Sequence, residues 1–158
     1  MTATVSIRNA RPDEALALDG LQRRSSDVWE EYRAQLAAYP DAIEPPHAAI
    51  AEGRVRVATD ATGSIVGFYV VLPIEHDRCE LDDLFVEPAL MRQGVGRKLV
   101  RDLVDRARAS GARHVDVIAN PNALGFYTSV GFAVTGNAST RFGDAPRMSL
   151  DLEATRSS

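Results

Sequence analysis

The stretch from Cys79 to Ala119 constrains the fold more than any other part of the chain. A run of strand character, Cys79–Val86, leads into a loop with two glycines, a helical pattern from Gly94 to about Ser110, and a second strand-like run, His114–Ala119. In the helical stretch Val95, Leu99, Val100, Leu103, Val104 and Ala107 recur at steps of three or four, and Arg97, Lys98, Arg101, Asp102 and Arg106 face water. Gly111 is a natural stop. A strand, an amphipathic helix and a second strand in that order predict a crossover that sets two strands parallel.

The flanking sequence predicts the rest. Thr4–Asn9 alternates as a first strand, with Val5 and Ile7 on one face. Arg11-Pro12-Asp13-Glu14 opens a helix whose apolar side is Ala15, Leu16, Leu18 and Leu21. A second helix is expected from Ser26 or Asp27 to about Ala38, carrying Trp29, Tyr32 and Leu36. Tyr39–His47 holds three prolines and reads as a loop, with a helical turn after it through Ile50. Arg54–Thr59 and Ile65–Leu72 read as strands joined by a hairpin turn at Asp60–Gly63. The second of them is apolar enough to be covered on both faces. Ala123–Ser129 is a short helix, and Phe132–Gly136 and Met148–Leu152 are final strands. The class is α+β (mixed α/β), in one domain spanning residues 1–152, with a frayed tail at 153–158.

Composition narrows the partners. Of the 158 residues 45% are apolar and 25% charged, and the net charge is −4, so the basic bias of a nucleic-acid surface is missing. No run approaches the roughly 18 apolar residues that span a bilayer, and the N-terminal residues MTATVSIRNA do not read as a signal peptide. A cytoplasmic protein with no membrane partner is expected. Cys79 stands alone, which excludes an intramolecular disulfide, and reads as a small buried hydrophobe. His47, His76 and His114 lack metal-ligand spacing, so no metal is expected.

The loop Pro88-Ala89-Leu90-Met91-Arg92-Gln93-Gly94-Val95-Gly96 carries the chemistry. Glycines let the backbone turn tightly and approach a ligand. N–H groups at a helix start cradle an anion, and the helix dipole favours negative charge there. A phosphate-bearing ligand is the physical expectation, with Arg92 and Arg97 as added charge. The P-loop pattern GxxxxGK[ST] is absent, and Gly94-x-Gly96 lacks the third glycine of a dinucleotide fingerprint.

Leu81-Asp82-Asp83-Leu84-Phe85-Val86-Glu87-Pro88, followed by Met91-Arg92-Gln93-Gly94-Val95-Gly96, resembles the acetyl-CoA signature [Q/R]-x-x-G-x-[G/A] of the GNAT N-acetyltransferases. A second block, from Asn120 to Phe132, is similar to the family's N-x-x-A-x-x-F-Y-x-x-x-G-F motif. Both stand in the family's order. The resemblance implies a mixed, mostly antiparallel sheet of six or seven strands with helices on both faces, the fourth and fifth strands splayed to admit acetyl-CoA. It departs at Met91, where the family has Gln or Arg; a side-chain contact is lost there, and the backbone amides remain.

By that resemblance the backbone of Leu84, Phe85 and Val86 pairs with the pantetheine arm. The N–H groups of Gln93, Gly94, Val95, Gly96 and Arg97 hold the pyrophosphate, and Asn120 reaches the cofactor. Tyr127 stands near the sulfur as general acid. The implied reaction is attack of a primary amine, of a small molecule rather than a protein, on the thioester carbonyl. A Leu84 or Phe85 N–H receives the oxyanion. The base is one of Glu80, Asp82 and Asp83; alternation puts Glu80 and Asp82 on one face and Asp83 on the other, unless a bulge intervenes. Glu80 aligns with the base of the histone-acetyltransferase branch. Tyr32 and Arg33 are acceptor-side candidates, Arg141 either caps the site or is simply exposed, and His76 is a candidate for proton transfer. The same fold also occurs as a non-catalytic acyl-CoA-binding module, the rival reading, and dimers are frequent in the family.

Overall fold

The structure is a computed structural model and describes residues 4–27, 37–38, 45–140 and 143–153. Seven strands form one sheet in the order β1-β2-β3-β4-β5-β7-β6. They are β1 (Ser6–Asn9), β2 (Val55–Thr59), β3 (Ile65–Val71), β4 (Arg78–Val86), β5 (His114–Ile118), β6 (Ala133–Thr140) and β7 (Gly143–Asp151). The helices are α1 (Ala15–Asp27), α2 (His47–Ala51), α3 (Val95–Ala109) and α4 (Leu124–Ser129). The expected crossover is present: β4, α3 and β5 run in sequence, and β4 pairs parallel with β5. The pairings β1–β2, β2–β3, β5–β7 and β6–β7 are antiparallel. Ser26 and Asp27, where the sequence reading starts a second helix, instead end α1; apart from residues 37–38 the rest of that helix lies outside the described residues, as do Trp29, Tyr32, Arg33, Arg141 and the tail from residue 154.

The chain divides into two compact units, Met1–Val70 with Asp83–Leu99, and Val71–Asp82 with Val100–Ser158. In the first, Ala15, Leu18 and Leu21 of α1 are buried with Val55, Val57, Phe68 and Val70 of the sheet. Leu16, assigned above to the apolar side, is instead 73% exposed, because it follows Ala15 by one residue and so turns away from the stripe. A 3₁₀ turn at Pro12–Glu14 precedes α1, where Glu14 Oε1 accepts the Arg11 N–H at 2.7 Å and the carboxylate takes two hydrogen bonds from Arg8. The Arg8 bonds hold the Glu14 carboxyl below its usual range. The β2–β3 turn is tied by Asp60 Oδ1, which accepts from the N–H groups of Thr62 and Ser64.

The opposite face of β3 receives α3. Gly67 has no Cβ, and one placed there would sit 3.1 Å from Leu99 Cδ1, 3.1 Å from the Phe85 carbonyl oxygen and 3.2 Å from Val95 Cγ1. Helix and backbone therefore close onto this glycine from two sides.

In the second unit Val115, Val117, Met148 and Leu150 are buried, as are Cys79 and Leu81 beside them. Helix α3 ends in a Schellman arrangement: Ala112 N–H donates to Ala107 C=O, Gly111 N–H donates to Arg108 C=O, and Gly111 has φ 90°. The terminal hairpin is longer than expected, Ala133–Thr140 against Gly143–Asp151 rather than Phe132–Gly136 and Met148–Leu152. Its outer strand is exposed at every position but Ala138 and mixes small, apolar and polar residues, so hydrophobic alternation does not mark it.

Replacing Gly67 by valine should destabilise the protein by about 1–3 kcal/mol, since the carbonyl in its way belongs to rigid backbone. Urea unfolding would measure it, and a change below about 0.5 kcal/mol would show that the contact yields freely.

Candidate acetyl-CoA site

In the first unit, β4 delivers the chain to the glycine loop. The parallel ladder with β5 covers Arg78 to Leu81, and β4 runs on to Val86. Leu84, Phe85 and Val86 are half-buried, and the Phe85 ring packs on Phe68 with centroids 5.7 Å apart. That contact exposes a departure from simple alternation. Leu72 N–H donates to Glu80 C=O, and Glu87 N–H donates to Val66 C=O; between these bonds β4 advances seven residues and β3 six. One extra residue in β4 is a β-bulge. Without it Phe85 would share a face with Leu81, across from Val71; instead it joins Phe68 on the α1 side. The alternation expected to separate Asp83 from Glu80 and Asp82 thus breaks between Leu81 and Phe85. Asp82 is exposed, while Glu80 and Asp83 are half-buried.

Glu87 anchors the start of the loop twice. Its N–H is bonded to Val66 at 2.8 Å, and its carboxylate takes two 2.9 Å bonds from the Arg24 guanidinium of α1. A 3₁₀ turn at Pro88–Leu90 follows, then a tight turn in which Arg92 (φ 68°) and Gly94 (φ 89°) take left-handed backbone. Glycine adopts this freely; Arg92 does so at a cost of about 1–2 kcal/mol. The Gln93 N–H donates to Leu90 C=O at 3.3 Å. Helix α3 begins at Val95, so the N–H groups of Gly94, Val95, Gly96 and Arg97 belong to a first turn that supplies no i−4 carbonyls. Arg92 and Arg97 are exposed beside them, and Met91 is half-buried. Backbone donors, a dipole end and nearby cations fit the diphosphate of a CoA ester.

In the second unit, Asn120 caps the 3₁₀ turn Pro121–Ala123, its Oδ1 accepting the Asn122 N–H at 2.8 Å. Tyr127 on α4 is 6% exposed and is held edge-on by Phe126 and Phe132, with centroids 5.2 and 5.4 Å away. This packing is the physical content of the Phe-Tyr and Gly-Phe parts of the second block: two rings fix the phenol. Gly131 (φ 107°) makes the turn that returns Phe132. Glu80 lines a shallow cavity of about 210 Å³ with Asp116 and Arg147, residues the sequence reading did not select. Only strand register could have found them, by setting Glu80 beside Asp116 and Ile118 beside Arg147. Cys79 is buried, and burial, then the nearby Asp116 charge, pushes its thiol up to about 11, so it stays protonated at neutral pH. His76 sits in the tight β3–β4 turn, between Glu75 and Arg78. Among the described residues no group of His, Cys, Asp or Glu is arranged to hold a metal ion, and no helix is long and apolar enough to cross a membrane.

The hydrogen bonds from Arg24 lower the Glu87 carboxyl, against a smaller opposing effect of burial. A depressed folded-state value means the pair stabilises above the unfolded carboxylate pKa and is lost as pH falls through the folded one. Replacing Arg24 by methionine should therefore cost up to about 1 kcal/mol at pH 7, and the gap to wild type should close on acidification below about pH 4. A gap that widens in acid would contradict this.

The model of the acetyltransferase (GNAT) family matches residues 18–132. A peptidyl-lysine N-acetyltransferase of Salmonella typhimurium, YjaB, is 31% identical over 139 residues, covering 85% of this chain and 87% of the relative. A streptothricin acetyltransferase of Streptomyces lavendulae is 30% identical, covering 85% and 84%. Among solved structures, the PaiA N-acetyltransferase of Thermoplasma acidophilum in complex with coenzyme A superposes with a TM-score of 0.75 at 19% identity, over 94% of this chain and 99% of that one, and so shares the fold. The chain belongs to the acetyltransferase (GNAT) family and is an acetyl-CoA-dependent N-acetyltransferase.

Proposed function

We propose that the protein acetylates the primary amine of a small molecule by direct attack on acetyl-CoA. The observation that carries this reading is the row of N–H groups from Gly94 to Arg97, at the head of a 15-residue helix seated on Gly67 and led in by a doubly anchored Glu87. The diphosphate is held there chiefly by backbone, which makes Met91 tolerable where the family has Gln or Arg. For the Gln93 N–H to join, it must release Leu90. Leu84, Phe85 and Val86 offer their backbone to the pantetheine arm, and Asn120 contacts the cofactor.

An ammonium has no lone pair, so the amine loses a proton before or during attack. Among Glu80, Asp82 and Asp83, Glu80 is favoured as the acceptor of that proton, because it alone of the three lines the cavity beside β5. The nitrogen adds to the thioester carbonyl, and the Leu84 or Phe85 N–H receives the oxyanion. Collapse of the tetrahedral intermediate breaks the C–S bond; Tyr127 donates its phenolic proton to the departing thiolate, and the proton still carried by the new amide nitrogen is lost and restores the phenol by way of solvent. The family match takes in parts of both compact units, which supports reading residues 1–152 as one domain. A small-molecule acceptor in the cytoplasm, with no nucleic-acid or membrane partner, completes the reading.

Two measurements test it. Acetyl-CoA and CoA should raise the melting temperature with added ligand, and acetyl-CoA should release free thiol in an amine-dependent manner. Tight CoA binding with no thiol release across a broad amine panel would mean a binding module. In Tyr127→Phe the two ring contacts survive, so acetyl-CoA affinity should hold within about twofold while kcat falls about 10²-fold or more. Wild-type turnover in that variant would remove Tyr127 as the acid.

A further inference from the structure

The part of the sheet in the second unit has one buried and one open face. Cys79, Leu81, Val115, Val117 and Met148 occupy the buried face. Alternation sends Arg78, Glu80, Asp116, Ile118 and Arg147 the other way, and the register brings Glu80 beside Asp116 and Ile118 beside Arg147. These five residues line the cavity of about 210 Å³ together with Thr135, Val117 and Met148.

Two carboxylates and two guanidiniums in one cavity could cancel in pairs, but one pair alone forms. Arg78 Nη1 donates to both oxygens of Asp116, at 2.8 and 3.0 Å. Arg147 is exposed, and it is its main-chain carbonyl, not its guanidinium, that accepts from the Thr135 hydroxyl at 3.4 Å. Among the described residues neither the Arg147 guanidinium nor the Glu80 carboxylate has a side-chain partner. A cation and an anion left over in one cavity fit a ligand carrying both charges. The cavity is smaller than the roughly 300–1,000 Å³ of drug-sized pockets, so that ligand is compact.

Resting on the acetyl-transfer reading, we infer that the acceptor amine also carries an anionic oxygen group, a carboxylate or a phosphate, which Arg147 binds while the amine lies toward Glu80. The planar guanidinium fork suits either oxyanion through paired hydrogen bonds. Arg147 is thus a specificity residue: it discriminates among amines and takes no part in bond making. Arg78 keeps Asp116 neutralised, so the second carboxylate does not repel the incoming anion.

Matched amines test this by CoA thiol release at fixed acetyl-CoA. One arm compares an amino acid with its amide and its decarboxylated amine, the other an aminoalkyl phosphate with the corresponding amino alcohol. In wild type the anion-bearing member of at least one arm should be preferred by about tenfold or more in kcat/KM, and the arm that shows the preference names the anion. Arg147→Gln should abolish most of that preference through KM for the amine, with KM for acetyl-CoA moving less than about twofold, and Arg147→Lys should restore part of it. The side chain is exposed, so the variants keep the core intact. A ratio equal in wild type and Arg147→Gln, or a preference for neutral amines or lysine peptides, would overturn the inference alone. Failure of every amine to release thiol would overturn the transfer reading and this one with it.

Discussion

The seat of α3 on β3 depends on a missing methyl group. At Gly67 the helix side chains Leu99 and Val95 and the carbonyl of Phe85 all approach to within 3.1–3.2 Å of where a Cβ would lie. That approach fixes the first turn of α3 against the sheet and, with it, the position of the N–H groups from Gly94 to Arg97. Hydrophobic burial along Val95, Leu99 and Leu103 drives the helix onto the sheet. The glycine determines how near it comes.

The loop that leads into this helix is held by charge as well as by backbone. Glu87 is bonded to Val66 through its N–H and to Arg24 through its carboxylate, so β3 and α1 both set where the loop begins. The residues that follow are short of intramolecular acceptors because every helix start is. In the proposed reading the CoA diphosphate completes them. On that reading Met91, where the family has Gln or Arg, leaves the backbone donors in place.

Much of this was legible in the sequence. Helix α3 and its stop at Gly111, the β2–β3 hairpin and the parallel crossover all follow from periodicity and glycine placement. The glycine loop pointed to an anion, and the second motif block narrowed that anion to CoA. What the pattern hid has physical causes. The bulge in β4 leaves no trace because Leu81, Leu84, Phe85 and Val86 are apolar in either phase, so an added residue does not disturb the run. Strands β6 and β7 extend further than expected because their exposed residues need no alternation. Leu16 lies in an apolar run yet points outward, since helical spacing and not hydrophobicity decides its face. Asp116 and Arg147 were invisible as site residues because only strand register brings them beside Glu80 and Ile118.

In the proposed reading, backbone donors at the start of α3 bind the diphosphate of CoA. Amide chemical shifts read this most directly, in a titration of the labelled protein with CoA and, separately, with pantetheine, which lacks the diphosphate. The Gly94, Val95, Gly96 and Arg97 amides should move strongly with CoA and stay nearly still with pantetheine. CoA binding that left those four amides unmoved would contradict the account.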